Sequence, residues 1–389
     1  MMSSLKAAVL VGLAIVFLVS LALVGGLAIV RNTNVLAGWL DEPVQLKPVI
    51  DEPEAQAKQP LPQVWEHYAK SVHYYADEFP KVLSSRLRHR QFDDLESFAN
   101  EVRSKKTTMP GGDWVLSLLY DSIDEPAAGS GADEPGWKAH FALLDEWKAK
   151  YPKSITARVA YARSMVSYAW KARTDKYAAA VTSAQWKLFF ERLGEARKVL
   201  VDAGTELDEP CPVWYSTMLT IANGEGWERD DYMRTFNEAV EFEPTYGRYY
   251  HLLTVYLSPK WHGKEGEWAA VLAEVTQKQG TEEADAMLQM TFATVVMDDY
   301  NYEDIVPEIQ KYWPQIKRGF HAREKLYKAA WGNMNDFTHM AYIAGDREEA
   351  RGMFQRMKGH LDPGFWGEDG KLLAKAQAWA NEPVQPGRN

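Results

Sequence analysis

From about residue 62 onward, apolar side chains recur with the period of an α-helix. Tyr249, Leu252, Leu253 and Tyr256 fall at i, i+3, i+4 and i+7, and Ile155, Val159, Ala162 and Val166 likewise gather on one helix face. No stretch alternates with a period of two for long enough to propose a sheet, so the pattern predicts an all-α protein. Breakers divide the helices. Asp-Glu-Pro recurs at Asp41, Asp51, Asp124, Asp133 and Asp208, each time between periodic segments, and proline disfavours helix in the residue before it, so these tripeptides read as turns. The stretch 127–132, with Gly129, Ser130 and Gly131, lacks the lysine and hydroxyl of a phosphate-cradling loop and reads as surface loop.

A second regularity lies in how helices follow one another. Tyr232, Phe236, Ala239 and Pro244 run at offsets of four, three and five, and Gly345, Asp346, Ala350, Phe354 and Pro363 repeat most of that order. It is close to the second helix of a tetratricopeptide unit. Pro210 and Pro244 are 34 residues apart, one unit length, with Trp214 and Leu219 placed to start the first helix, whereas Pro152 and Pro210 are 58 apart. The expected architecture is therefore a degenerate tetratricopeptide-like α-solenoid of stacked helix pairs. Each pair has two apolar faces and covers one of them only by stacking on a neighbour. Tyr232, Phe236, Ala239, Ala350 and Phe354 are the expected packing residues.

The N-terminus follows a different pattern. The run 7–30, from Ala7 to Val30, carries no charge and is bounded by Lys6 and Arg31. As a helix of 24 residues it extends about 36 Å, more than the roughly 30 Å hydrocarbon core, which predicts a transmembrane anchor over 1–31. A signal peptide cleaved near Val35 and Ala37 is the rival reading. Lys6 on one side competes with Arg31, Lys47 and Lys58 on the other. The expectation is a single pass through a bacterial inner membrane with a periplasmic body. Residues 32–62, with Pro43, Pro48, Pro53, Pro60 and Pro62 among acidic and small side chains, read as a stiff linker. A helical-repeat domain over 63–382 and a tail at 383–389 complete the plan.

Composition narrows the chemistry. The 15 Trp, 19 Tyr and 14 Phe suit short helices joined by ring packing. A formal charge of −10 without a basic stripe excludes a nucleic-acid partner. Cys211 is the single cysteine, so no intrachain disulfide forms. The nine histidines never give the paired spacing of a zinc protease, and no Gly-x-Ser-x-Gly occurs. The adjacent acids Asp93 and Asp94, Asp230 and Asp231, and Asp298 and Asp299 point about 100° apart on a helix and read as charge at helix N-termini. No catalytic activity, cofactor or metal is expected. Aromatic and ionisable groups concentrate at Tyr256, Pro259, Lys260, Trp261, His262, Gly263, Glu265 and Trp268. They suit either a groove, with Tyr256, Lys260, Trp261, His262 and Trp268 facing a partner, or a packed corner with Trp261 buried and Lys260 snorkelling.

Gly112-Asp113-Trp114, Tyr151-Pro152-Lys153-Ser154, Ala157-Arg158 and Tyr168-Ala169-Trp170 are followed by Trp186, Phe190, Arg192-Leu193 and Ala196. Trp214-Tyr215, Gly226-Trp227 and Glu243-Pro244 come next, then the run from Tyr256 through Lys260-Trp261-His262-Gly263 to Trp268. In this order, over about half the chain, the sequence resembles a bacterial family of helical domains of unknown function. The resemblance implies a tetratricopeptide-like fold and supplies no catalytic residue. Thr174 departs from it, because similar proteins tend to have glycine there. Anchor, repeats and missing motifs together lead us to expect a membrane-anchored scaffold for another protein or a peptide. The alternatives are a small-ligand binder or enzyme using an aromatic groove near 256–268, and a structural membrane tether.

Overall fold

A computed structural model describes residues 59–69, 78–174, 177–207, 211–298, 302–328, 330–366 and 370–382. Among them every regular element is helical, and the one β-type pairing is an isolated antiparallel bridge between Thr108 and Trp114. The all-α class is what forms. The expected anchor at 7–30, the linker up to residue 58, the tail 383–389 and the Asp-Glu-Pro copies at 41, 51 and 208 lie outside the described residues. No helix among the described residues is long and apolar enough to cross a membrane. Packing divides the body expected over 63–382 into two compact units. Unit 1 runs to Met109 and from Trp114 to Glu243, and unit 2 takes Pro110–Asp113 and the chain from Pro244 onward.

Unit 1 contains α1 (Leu61–Tyr68), α2 (Phe79–Arg88), α3 (Phe92–Ser104), α4 (Val115–Asp121), α5 (Glu134–Lys150), α6 (Ile155–Arg173), α7 (Ser183–Glu206), α8 (Pro212–Glu225) and α9 (Arg229–Phe242). Helix starts follow local chemistry. The Asp133 carboxylate accepts from the Gly136 amide at 2.9 Å with Pro135 in the first turn, so this Asp-Glu-Pro copy opens α5. Ser154 caps α6, and Thr182 with Gln185 forms a capping box at α7. The acids Asp93, Asp94, Asp230 and Asp231 do lie in first turns, of α3 and α9. Asp298 instead ends its helix, a correction to the N-terminal role expected of it.

Helix α6 is the centre of unit 1. It packs on α3, α5, α7 and α8, and almost all of its residues are buried. Rings and one carboxylate tie α3 to α5: Phe92 stacks on Trp147 at 5.8 Å, and the Trp147 indole N–H donates to Glu96 at 2.7 Å. Helices α8 and α9 form the pair expected over 210–244, broken by Gly226 at φ 71°, with Tyr232, Phe236 and Ala239 fully buried.

Helix α6 ends at Thr174. Its backbone sits at φ 64° and ψ 175°, a region that side chains with a Cβ rarely enter and that costs about 1–3 kcal/mol. Thr174→Gly relieves this, while glycine gives back roughly 0.5–1 kcal/mol through its freer unfolded chain. We expect net stabilisation of about 1 kcal/mol, read as a higher thermal midpoint. A lower midpoint would mean that contacts of the Thr174 side chain outweigh the backbone relief.

Unit 2 contains α10 (Arg248–Tyr256), α11 (Glu267–Gln279), α12 (Glu282–Asp298), α13 (Tyr302–Tyr327), α14 (Trp331–Ala344), α15 (Arg347–Arg356) and α16 (Lys371–Asn381). Each packs on the next in sequence, and α12 against α13 is the most extensive pairing. Gly345, at φ 77°, ends α14, and Asp346 opens α15 by accepting from the Glu349 amide. Ala350 and Phe354 then pack with Ala341, Trp366, Ala376 and Ala380. Pro363 begins a short 3-10 turn that carries Trp366 into this cluster.

The segment Pro110–Asp113 is bound tightly into unit 2. Arg323, almost fully buried on α13, donates to the Gly111 carbonyl at 2.6 Å and to the Gln289 side chain at 3.0 Å. Gly112 adopts φ 103°, and a Cβ there would lie 2.8 Å from the Tyr327 ring. Burial pushes the Asp336 carboxyl up to about 7, with Arg323 opposing the shift.

Candidate functional site

The structure does not bring the five expected groove residues to one surface. Tyr256 and Trp268 are core residues of unit 2, Trp268 lying 5.0 Å from the Phe292 ring. Lys260, Trp261 and His262 lie on the outside of the turn that joins α10 to α11. The packed-corner reading needs a correction here, because Trp261 is 37% exposed. The corner is closed by other means. The His262 ring lies 4.6 Å from Tyr256, its amide bonds back to the Tyr256 carbonyl, and Gly263 sits so close to the Leu257 carbonyl that a Cβ there would overlap it.

Unit 1 carries a more open arrangement. Tyr161, Met165, Tyr168 and Ala172 recur at i, i+4, i+7 and i+11 along α6 and so share one face. Phe141 of α5 lies between the two tyrosines, 5.3 Å from Tyr161 and 5.6 Å from Tyr168, and Trp137 stacks on Tyr168 at 4.8 Å. From α7, the Arg192 guanidinium sits 3.2 Å from the centre of the Tyr168 ring and donates to the Tyr168 carbonyl at 2.7 Å. Lys148 lies 3.4 Å over the Tyr161 ring, whose hydroxyl donates to Glu195 at 3.5 Å. Leu188, exposed at i−4 from Arg192, continues the α7 edge. The result is a trough with α6 as floor and α5 and α7 as walls.

At one end of this trough Glu134, Pro135, Lys138, Phe141 and Tyr168 line a depression of about 610 Å³ that opens to solvent. Its aromatic floor is fixed by the Tyr168 hydroxyl, which donates to Glu134. Lys138 stands exposed at the rim with no ion pair or hydrogen bond among the described residues. A smaller cavity of about 170 Å³ in unit 2 lies beside Thr276, Asp285, Gln315 and Arg318. There the Arg318 guanidinium is already held by both Asp285 oxygens, at 3.1 and 3.2 Å.

The electrostatics suit binding better than proton transfer. Burial, then Asp145 and Glu195, pushes the Tyr161 hydroxyl up to about 12. Burial and Glu134 raise Tyr168 against Arg192. Both phenols therefore remain protonated donors at neutral pH. Beneath them His140 lies 3.1 Å from the Ser164 hydroxyl, but Ser164 is fully buried and burial lowers His140 to about 4. Arg163 completes this layer by donating to Asp121 at 2.6 Å and to Asp124 at 2.9 Å. Asp124 is pushed up to about 7 by burial, with Arg163 opposing. The serine and the histidine, closed off from solvent, hold α5 on α6.

Among the described residues no group of three or more His, Cys, Asp or Glu side chains is placed to hold a metal ion. Cys211 is buried at the start of α8, 3.8 Å from the Tyr120 hydroxyl. Sequence reading missed the trough because its residues come from three helices. The legible part was Tyr161 and Tyr168, two half-polar rings seven apart and so on one face of α6. No protein-family model matches the chain, and no curated protein or solved structure matches it either.

Proposed function

We propose that the chain is a membrane-tethered protein of stacked helix pairs whose unit 1 holds an extended segment of another protein in the α5–α6–α7 trough. The observation that carries this reading is the open depression lined by Phe141 and Tyr168, with Lys138 exposed at its rim and without an ion pair among the described residues. Aromatic-lined grooves take proline-rich and extended peptides because such segments lose little entropy on binding, and a rim cation selects for acidic neighbours. The tetratricopeptide-like arrangement is supported by the shared order of buried positions in α9 (Tyr232, Phe236, Ala239) and α15 (Ala350, Phe354), and by the resemblance upstream. The apolar run 7–30 would hold this body at a bacterial inner membrane, on its periplasmic side.

Panning a displayed random-peptide library on the purified full chain in detergent tests the reading. Recovered peptides, measured by fluorescence anisotropy, should bind Lys138→Glu and Phe141→Ser at least tenfold more weakly, about 1.4 kcal/mol each. The Lys138→Glu protein should melt as wild type does. Unchanged affinity in both variants would move the binding surface elsewhere, and recovery of no peptide would count against the module.

A further inference from the structure

Phe190 and Val201 of α7 are each 46% exposed. With successive residues 100° apart, Phe190, Gly194, Arg197 and Val201 fall within about 60° of one another and form a single row along the helix. Gly194 stands near the middle of this 24-residue helix, where glycine is the least favoured residue after proline. A Cβ at Gly194 would meet nothing within 4 Å, so no contact among the described residues requires glycine there. Arg197 is drawn aside by Glu225 of α8, at 3.0 Å. The row is apolar at both ends and bare at its centre, a shape that lets a second helix approach closely.

The charges beside the row fit one partner, another α7. Glu191 and Lys198 each follow a member of the row by one residue and so share its flank. Lys198 makes no ion pair among the described residues, and Glu191 meets Lys187 only at 3.7 Å with both side chains exposed. Antiparallel packing that sets Phe190 of one copy against Val201 of the other places Gly194 against Arg197 at the two-fold axis. On the flank the same packing opposes Glu191 to Lys198, twice by symmetry. Sliding the copies by one heptad in either direction would oppose Glu191 to Glu191 or Lys198 to Lys198, so charge defines the register. In a parallel pair the two side chains would stay about 10 Å apart in height. Over its whole length α7 carries four basic and four acidic side chains, so no net charge on the helix opposes the pairing.

We propose that two copies of the chain pair through α7, antiparallel about a two-fold axis between Gly194 and Arg197. The pairing is independent of the trough. Leu188, Arg192 and Glu195, which edge the trough, lie more than about 120° around α7 from the middle of the row, so each copy keeps its trough open. A contact between single helices is smaller than a standard interface, and the dissociation constant expected is on the order of 10 µM.

Sedimentation equilibrium of the full chain in detergent, over about 1 to 200 µM so as to bracket that constant, tests the proposal. Wild type should pass from monomer to dimer across the range. Glu191→Lys and Lys198→Glu each set like charges against each other twice and should weaken the dimer at least about tenfold, while the double variant should regain wild-type strength. A mixture of the two single variants, one of them 15N-labelled, should form mixed dimers in preference to either self-pair, as read by native mass spectrometry. Gly194→Leu should abolish pairing without lowering the thermal midpoint of the monomer, because its side chain enters open space, and so separates loss of contact from loss of fold. Wild type monomeric throughout, or a dimer indifferent to the charge reversals and to Gly194→Leu, would overturn the proposal. So would weakened single variants that neither the double variant nor mixing restores. If wild type stays monomeric yet binds a foreign protein through Lys198, the face belongs to that protein and the pairing fails.

Discussion

Gly319→Ala should lower the thermal midpoint of the protein, whereas Gly352→Ala should raise it, although both glycines lie inside helices of the same unit. In an open helix alanine is favoured over glycine by about 1 kcal/mol. Gly352 of α15 is such a site, since a Cβ there meets nothing within 4 Å. Gly319 of α13 faces α12. A Cβ there would overlap the Asp285 carbonyl oxygen and lie 2.8 Å from the Gln289 Cβ. The first obstacle is helix backbone, which no rotamer change moves, so the two helices must part. Overpacking of this kind costs about 1–3 kcal/mol for a small addition, and more for a branched one. The pairing at risk is the most extensive in unit 2. It holds the Arg318 to Asp285 bonds, the Arg323 to Gln289 bond and the Phe292 to Tyr312 ring contact at 6.0 Å. Gly319→Val should therefore lose about 3 kcal/mol or more, a fall of roughly 6–12 °C for a unit of this size. Calorimetry of the three variants decides the matter. A Gly319→Ala protein stabilised to the same degree as Gly352→Ala would mean that α12 and α13 do not approach at this point.

Gly319 also marks where sequence reading ended. Nothing in Lys317-Arg318-Gly319-Phe320 says which helix comes close, because close approach is a property of two helices distant in sequence. Local signals fared better. The Gly345-Asp346 junction is a left-handed C-cap followed by an N-cap, and chemistry confined to four or five residues is legible without knowledge of packing. Periodicity likewise identified α6 and α10. Ring-rich loops were harder. The concentration of aromatic and charged groups at 256–268 was visible, but whether each faced inward depended on α12, which supplies Phe292 to cover Trp268. Trp261, beside the His262 ring, stays 37% exposed. The trough had the opposite problem, since Phe141, Tyr168 and Arg192 are ordinary in their own segments and acquire meaning only when α5, α6 and α7 are side by side. Thr174 lies between these cases. Glycine was an expectation there, and a backbone at φ 64° is one that glycine adopts at less cost than threonine.

The second large effect belongs to Phe354. Its ring is 8% exposed and lies 5.6 Å from the fully buried Trp366, among alanines from α14, α15 and α16, with Tyr342, Leu372, Leu373 and Trp379 packed around them. Small neighbours on three helices leave a space that a ring fills, so truncation alone would leave a cavity and cost about 3–5 kcal/mol. Phe354→Asp adds the burial of a carboxylate. A buried carboxylate costs several kcal/mol more unless it finds a cation or takes up a proton. The first result expected is loss of cooperative melting in the C-terminal helices, with α15 and α16 cleaved by protease under conditions where wild type is resistant. Phe354→Leu, which keeps most of the apolar volume, should lose about 1 kcal/mol. Because protonation weakens the penalty, the aspartate variant should also recover part of its stability as pH falls from 7 toward 4, whereas the leucine variant should show no such recovery relative to wild type. Melting of Phe354→Asp indistinguishable from wild type at pH 7 would mean that the pairing of α14, α15 and α16 around this ring is wrong, and with it the reading of 345–363 as a helix pair.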